Sequence, residues 1–476
     1  MKNRTLYFGD NLEIIEKFFP DDFFDLIYLD PPFNSNRDYN ILFEEKGIVS
    51  SAQIRAFEDT WEWTQSTLDL FNALKNNTNP EIAILIQSLS EFVGQNQMMA
   101  YLVNMTARII PLYRVLKKTG TIYLHCDPTA SHYLKIILDV IFGKKNYRNE
   151  IIWCYAGGGI PKKDFPRKHD VIFRYTKSDD YFFQHEYRPY GDWTKKFEPR
   201  HSLSSGGKKL RKEGTPVNDW WDDLPKLTSY KKEWLGYPTQ KPESLLERII
   251  KTSSKENDWV LDPFCGCGTT VSVAERLKRR WIGIDISMLA INVIKKRLLE
   301  HYPTIKIDID GIPKDFESAC KLANKDKFAF QDWAISLVGA NPPAGKTKKG
   351  ADKGIDGIIL FEEIENNTNK LKKIIVQVKG GSTGRGDIAK LKGDMERENS
   401  PLGVFITLYE PSKEMVKEAN LAGFYKNSFG IPFPRIQILS IKNWFQGQNI
   451  KLPTTVVNPF KRAENKELIK IQDGLF

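Results

Sequence analysis

The chain has 476 residues, with 70 basic and 60 acidic side chains and a net charge of +10. Its composition, 41% hydrophobic and 27% charged, excludes a disordered chain. No apolar run approaches the ~18 residues of a membrane span, and the start turns polar at Lys2-Asn3-Arg4, too early for a secretion signal. A cytoplasmic protein with no membrane partner is expected. The length predicts two or more domains. The positive balance favours a polyanionic partner. Five cysteines are too few for a disulfide framework, and Cys265 and Cys267 lack a second pair at zinc spacing, so reduced thiols are expected.

Residues 5–9 and 24–29 are short apolar runs ending in polar turns, which predicts buried parallel strands. Helical periodicity covers 98–116. A strand is expected at 120–125, a helix from there through Phe142, and an outer strand pair at 150–155 and 170–176. From 177 to 235 the chain is rich in Lys, Arg, Gly, Trp and Tyr, with weak periodicity. Strand-like order returns at 259–262 and 281–285. The alternation predicts an α/β fold, a doubly wound sheet interrupted by an irregular insert. Near 305–320 this pattern ends, and a second strand–helix unit follows.

Asp262-Pro-Phe264-Cys-Gly266-Cys-Gly268-Thr269-Thr270 follows a strand and leads into a helix over 271–278. Small residues there let the backbone approach a ligand at the carboxyl edge of the sheet. A lone Gly-x-Gly can also be a plain tight turn. Asp285 ends the next strand, where a carboxylate can accept both ribose hydroxyls. No third glycine follows, which points away from a dinucleotide and toward another adenosine-containing cofactor.

Asp30-Pro31-Pro32-Phe33 directly follows the strand at 24–29. Two prolines fix φ and remove backbone donors, so the turn is stiff. It offers one carboxylate, carbonyl oxygens and an aromatic face, a set suited to a flat heterocycle bearing an amino group. The amine hydrogens would bond Asp30 and the Pro31 carbonyl while the ring stacks on Phe33. The nitrogen lone pair could then attack an electrophilic methyl, with preorganised acceptors stabilising the developing charge. Taken alone, the tetrapeptide reads equally well as a strand-to-loop turn.

Together these segments resemble the amino-methylating DNA methyltransferases that use S-adenosylmethionine. Asp30-Pro-Pro-Phe33 resembles their catalytic motif, and the segment 262–270 their cofactor loop. Tyr237-Pro-Thr239-Gln-Lys241-Pro242 is similar to a further cofactor segment, which implies Thr239 and Lys241 near the methionine part. Phe8-Gly-Asp10-Asn11 resembles the loop whose acid faces the adenine. The motif order resembles the permuted β-class, over residues 1–315. The resemblance implies a Rossmann-like domain, cofactor contacts from Asp10, Thr239, Lys241, Asp262, Phe264, Gly266, Gly268, Thr269 and Asp285, and a flipped target base in double-stranded DNA. Asp at the first motif position favours N6 of adenine, with N4 of cytosine as the alternative. None of the five cysteines follows a proline, which sets C5-cytosine chemistry aside.

Residues 160–235 stand where this family keeps its target-recognition region. Within 195–212, Lys195, Lys196, Arg200, Lys208, Lys209, Arg211 and Lys212 face only Glu198. Such a run suits phosphate contact, and Lys208, Lys209, Arg211 and Lys212 are the expected DNA-binding residues. A solvated charged loop is the plain alternative. Trp220, Trp221 and Trp234 read as packing anchors. His125 and Asp127, at a strand end, take no assigned role.

In the C-terminal part, Asp356-Gly precedes an apolar run, and 373–379 reads as a second strand. Gln377 and Lys379 share one face of it. Asp356, the Gln377 side-chain oxygen and the Val378 carbonyl could hold Mg²⁺. Lys379 would then position the attacking water. The pattern resembles the PD-(D/E)xK nuclease fold, in particular Mrr-like restriction endonucleases. Two domains are therefore expected, 1–315 and 316–476. The expected protein is a methyltransferase fused to a Mg²⁺-dependent endonuclease in restriction–modification, with a homodimer as one expected assembly. The alternative is a C-terminal module that binds DNA or a partner without cleaving.

Overall fold

The computed structural model describes residues 1–32, 38–45, 48–58, 61–77, 79–157, 161–196, 210–237, 239–343, 354–365 and 368–456. A nine-stranded sheet organises the first part. Its strands are β1 (Thr5–Phe8), β2 (Phe24–Leu29), β5 (Leu116–Cys126), β6 (Tyr147–Cys154), β7 (His169–Thr176), β10 (Trp220–Trp221), β11 (Trp259–Asp262), β12 (Arg280–Asp285) and β13 (Asp308–Asp310). They lie in the order β10-β6-β7-β5-β2-β11-β12-β1-β13. From β5 to β13 every pairing is parallel, while β7 runs antiparallel to both β5 and β6. This matches the expected doubly wound sheet with an outer strand pair, and β10 extends the edge beyond it. Trp221 is buried there, but Trp220 is exposed and lies under the Arg188 guanidinium.

Central strands such as Leu26–Leu29 are apolar at every position because both faces are covered. On one face α1 (Asn11–Phe18), α2 (Gln65–Asn77), α3 (Pro80–Val93), α4 (Gln97–Val115) and α5 (Pro128–Phe142) bury Ile15, Ile86, Leu102 and Leu134 against Ile27 and Leu29. A short helix, α6 (Asp192–Lys196), lies in the insert. On the other face α7 (Glu243–Ser253), α8 (Thr269–Arg276) and α9 (Met288–His301) bury Leu246, Val271 and Ile294 against Leu26 and Tyr28.

Two local features depart from expectation. An antiparallel hairpin, β3 (Asp38–Glu45) with β4 (Ile48–Glu58), follows the Asp30 turn, where the sequence reading places no strand. The helix after the cofactor loop begins at Thr269, not Val271. Gly268, at φ 76, adopts the left-handed conformation that lets the turn pass straight into the helix. A further small ladder pairs β8 (Tyr187–Arg188) with β9 (Thr215–Pro216) inside the insert.

The second part holds a four-stranded sheet in the order β14 (Gly357–Glu365), β15 (Thr368–Lys379), β16 (Leu402–Thr407), β19 (Ile436–Ser440), with a small hairpin of β17 (Phe424–Lys426) and β18 (Pro432–Pro434). Helices α10 (Phe316–Lys325), α11 (Lys327–Leu337), α12 (Arg385–Arg397), α13 (Lys413–Leu421) and α14 (Ile441–Trp444) cover it. The apolar core does not break at the expected boundary. One cluster runs from Val271, Ile291 and Ile294 through Phe330 and Trp333 to Ile359, Phe361 and Val376. Among the described residues, no helix is long and apolar enough to cross a membrane.

Candidate active site

The site forms where strand order reverses. β2 and β11 are parallel neighbours, with Ile27 opposite Leu261, so Asp262 ends β11 level with Tyr28, and Asp30 follows two residues further along the same carboxyl edge. β12 lies next to β11 and brings Asp285 to the same edge. Crevices at such switch points are the usual ligand sites of open α/β sheets.

The loop after β11 is held in a ligand-ready shape. Asp262 accepts the Phe264 amide at 3.0 Å. Asp285 accepts the Gly266 amide at 2.7 Å and the Ser287 amide at 2.9 Å. Gly266 takes φ 51, and a side chain on Gly268 would meet Ile294 at 2.7 Å, so both positions require glycine. Thr269 is buried, and its hydroxyl donates to the Lys241 carbonyl at 3.3 Å. Thr239, at φ 60, turns the preceding segment, which Gln240 ties down through Leu235 and the Glu233 carbonyl. Burial pushes the Asp262 carboxyl up to about 7, against hydrogen bonds from Thr270 and Phe264 and with help from Asp30 and Asp285. Burial likewise raises Asp285 to about 6.

Lys241, expected at the methionine end of a cofactor, bonds the expected catalytic acid. Its Nζ lies 2.5 Å from Asp30 Oδ2, and both side chains are largely buried. Pro31 and Pro32 are described beside it; Phe33 lies outside the described residues. Asp10 caps α1 through the Leu12 amide and pairs with the buried Arg108 at 3.1 Å.

Arg108 is absent from the sequence-derived site, and no local signal in α4 marks it. Its Nε donates to Asn11 Oδ1 at 2.7 Å, and Asn11 donates to the Pro263 carbonyl at 2.7 Å. The guanidinium also lies 5.3 Å from the Trp61 ring, whose Nε1 donates to the Pro32 carbonyl at 3.3 Å. One residue thus joins the turn after β1, the loop after β11 and the Asp30 turn. Burial lowers its pKa, and the Asp10 charge opposes that.

A second buried run lies behind Asp30. His125 is fully buried, 2.9 Å from the Tyr28 hydroxyl and 3.1 Å from Asp170, which also accepts the Tyr155 hydroxyl at 3.0 Å. Burial works to raise Asp170, yet His125, the Lys241 charge and Tyr155 hold it below the usual range. Asp127 caps α5. These residues brace the edge on which Asp30 sits.

In the insert, Arg211 and Lys212 are exposed, and Lys208 and Lys209 lie outside the described residues. In the second part, Asp356 Oδ2 accepts the Val378 amide at 2.6 Å. Gln377 is buried, and its Nε2 donates to buried Asp394 at 2.5 Å, while Lys379 is exposed. No cluster of three His, Cys, Asp or Glu side chains suited to a metal occurs among the described residues.

A parallel sheet with a glycine cradle, and an acid at the end of the following strand, defines the class of nucleotide-cofactor α/β enzymes. A family model described as DNA methylase matches residues 24–296, more than half of the chain, and this chain belongs to that family. A second model, NACHT-associated inactive Restriction Endonuclease 1, matches 342–434. The chain is 28% identical over 259 residues to the Type II methyltransferase M.EcaI of Enterobacter cloacae, covering 42% of this chain and 57% of that protein. It is 27% identical over 310 residues to the DNA adenine methyltransferase YhdJ of Escherichia coli (strain K12), covering 63% and 84%. The chain therefore spans only a little over half the length of the Enterobacter relative. Among solved structures, the putative DNA modification methylase TTHA0409 of Thermus thermophilus, complexed with S-adenosyl-L-methionine, aligns at 17% identity and a TM-score of 0.38, covering 65% of this chain and 99% of that one.

Proposed function

We propose that this chain methylates an exocyclic amine of a base flipped out of double-stranded DNA, with S-adenosylmethionine as methyl donor and N6 of adenine as the favoured target, in restriction–modification. The meeting of the Asp30 turn and the 262–270 loop at the carboxyl ends of neighbouring strands carries this reading, since an amine acceptor and a cofactor cradle would share one crevice. Asp at position 30 supports adenine. The site's own chemistry fits the cofactor: Gly266, at φ 51, and Gly268, packed on Ile294, let the loop turn tightly into its helix, and Asp285 would accept the ribose hydroxyls. Asp10, Thr239, Lys241, Asp262, Phe264 and Thr269 would complete its surroundings. When bound, the cofactor supplies an electrophilic methyl. Asp30 and the Pro31 carbonyl accept the amine hydrogens and localise the nitrogen lone pair, and Lys241 fixes the Asp30 carboxylate. Arg211 and Lys212, with Lys208 and Lys209, would meet backbone phosphates. Incubation with double-stranded DNA and labelled cofactor, followed by nucleoside analysis, tests this. N6-methyladenine is expected, N4-methylcytosine would reverse the choice of base, and no modified nucleoside would sink the reading.

For the C-terminal domain, the observations favour the second reading, a module that binds DNA or a partner without cleaving. The expected donor set, Asp356, Gln377 and Val378, does not fit Mg²⁺. Gln377 is enclosed against Asp394, which takes its side chain out of the donor set, and one Asp356 oxygen is already used by the Val378 amide. Mg²⁺- or Mn²⁺-dependent cleavage of methylated or unmethylated DNA, lost in Lys379→Ala, would restore the nuclease reading.

A further inference from the structure

The second domain reaches the cofactor edge of the first. Helix α9 begins just after Asp285, and its leading amides take acceptors from both domains. Asp285 Oδ1 accepts the Ser287 amide at 2.9 Å, and Asp332 Oδ2, from α11, accepts the Met288 amide at 2.6 Å. The other Asp285 oxygen accepts the Gly266 amide at 2.7 Å. Asp332, the start of α9, Asp285 and the cradle are therefore one bonded run. Helix α11 is firmly seated, since Phe330 and Trp333 are buried in the core that continues to Ile359 and Val376. After burial, the Asp332 charge adds to the upward push on Asp285 and on Tyr237, whose ring lies against Gly266.

We propose that Asp332 is a positioning residue through which the restriction-endonuclease-like domain completes the cofactor pocket, so that cofactor binding and the seating of α11 on α9 stabilise each other. The proposal rests on the methyltransferase reading above. Coupling of binding equilibria is reciprocal, so each side must report on the other.

Hydrogen–deuterium exchange on the full chain, with and without saturating S-adenosylhomocysteine, reads the coupling directly. Exchange should slow in both 266–268 and Lys327–Leu337, by about fivefold or more. Asp332→Ala should weaken the calorimetric affinity by a similar factor and remove the response of α11, leaving a weaker response at 266–268. Asp332→Asn keeps a carbonyl acceptor at the same reach and should restore both, even if the alanine variant does not fold. Unchanged α11 exchange in the wild type, or wild-type affinity in a folded Asp332→Ala, overturns the proposal alone. A wild type in which neither segment responds and no ligand binds overturns the methyltransferase reading with it.

Discussion

Lys241 Nζ lies 2.5 Å from Asp30 Oδ2, so two segments far apart in sequence meet as a largely buried ion pair at the Asp30-Pro31-Pro32 turn. Stiff prolines fix the backbone of that turn, and Lys241 fixes its carboxylate. If Asp30 is the amine acceptor proposed above, Asp30→Ala should abolish methyl transfer while leaving cofactor affinity nearly unchanged. Lys241→Ala should keep some transfer but lower its rate. A lost charge-assisted hydrogen bond of about 1.5–3 kcal/mol corresponds to roughly a 10- to 100-fold fall. Single-turnover rates and calorimetry on both variants check this.

Asp262 and Asp285 give the cofactor-free protein a defined pH response. Burial raises them to about 7 and about 6, above the ~3.9 of an unfolded Asp. The folded state therefore holds protons that the unfolded chain releases. Their stabilising contribution is complete below about pH 4 and is lost as pH rises through about 6 and 7. The melting temperature should fall between about pH 4 and 7 and level off above, and Asp262→Asn should remove a little over half of that fall. In the proposed reading cofactor binding has the opposite sign, because Asp285 would have to be ionised to accept two hydroxyls. Affinity should weaken as pH drops through about 6, and Asp285→Ala should weaken it at every pH.

Much of this edge was legible in the sequence, because Asp30, Asp262 and Asp285 each directly follow or end a short apolar strand. Their adjacency needed only the assumption of one parallel sheet. The partners of those residues were not legible. Arg108 sits mid-helix, Trp61 follows a hairpin that periodicity does not show, and Asp332 lies on α11, beyond the last strand of the nine-stranded sheet. Long-range side-chain pairing leaves no period in the chain. Gln377 and Lys379 do alternate with Val378 as expected, but periodicity does not reveal that the face bearing Gln377 is covered by α12.

Arg108 links three loops, and its removal should be costly. Breaking one side of a buried ion pair costs about 3–5 kcal/mol, and the lower end applies because Asp10 is 39% exposed. Urea unfolding of Arg108→Ala should show that loss. Trp61→Phe is milder. It keeps the ring under the guanidinium but removes the hydrogen bond to Pro32, worth about 1 kcal/mol. Transfer rate should fall about fivefold while cofactor affinity holds. Equal losses in both would show that Trp61 supports the fold and not the turn.

Neutralising Lys208, Lys209, Arg211 and Lys212 together should weaken DNA binding across unrelated sequences. Each lost phosphate contact should flatten the log affinity against log salt slope by about 0.9. Arg211 and Lys212 are exposed, so the change should leave the melting temperature nearly unchanged. A slope equal to that of the wild type would mean that DNA lies on another face.

Gln377→Glu tests the C-terminal domain from its interior. A carboxylate there would tighten Mg²⁺ binding if Gln377 pointed into an open metal site. It points instead at Asp394, with 2.5 Å between Nε2 and the carboxylate, and both residues are buried. Gly354, at φ 71, closes the space from above, since a side chain on it would meet Asp394 at 2.9 Å. Glu at 377 would oppose two carboxylates in a site that excludes water, so one must take up a proton or the pair must separate. Arg397, 2.7 Å from the other Asp394 oxygen, offsets only one charge. The variant should lose stability at neutral pH by on the order of 2 kcal/mol and regain it at acid pH. Adding Asp394→Asn should restore most of the loss, because the pair again has one donor and one acceptor. A double-mutant cycle in urea, run at pH 5 and pH 8, measures that coupling. Additive losses, or a stabilising Gln377→Glu whose melting temperature rises with Mg²⁺, would return Gln377 to the metal site.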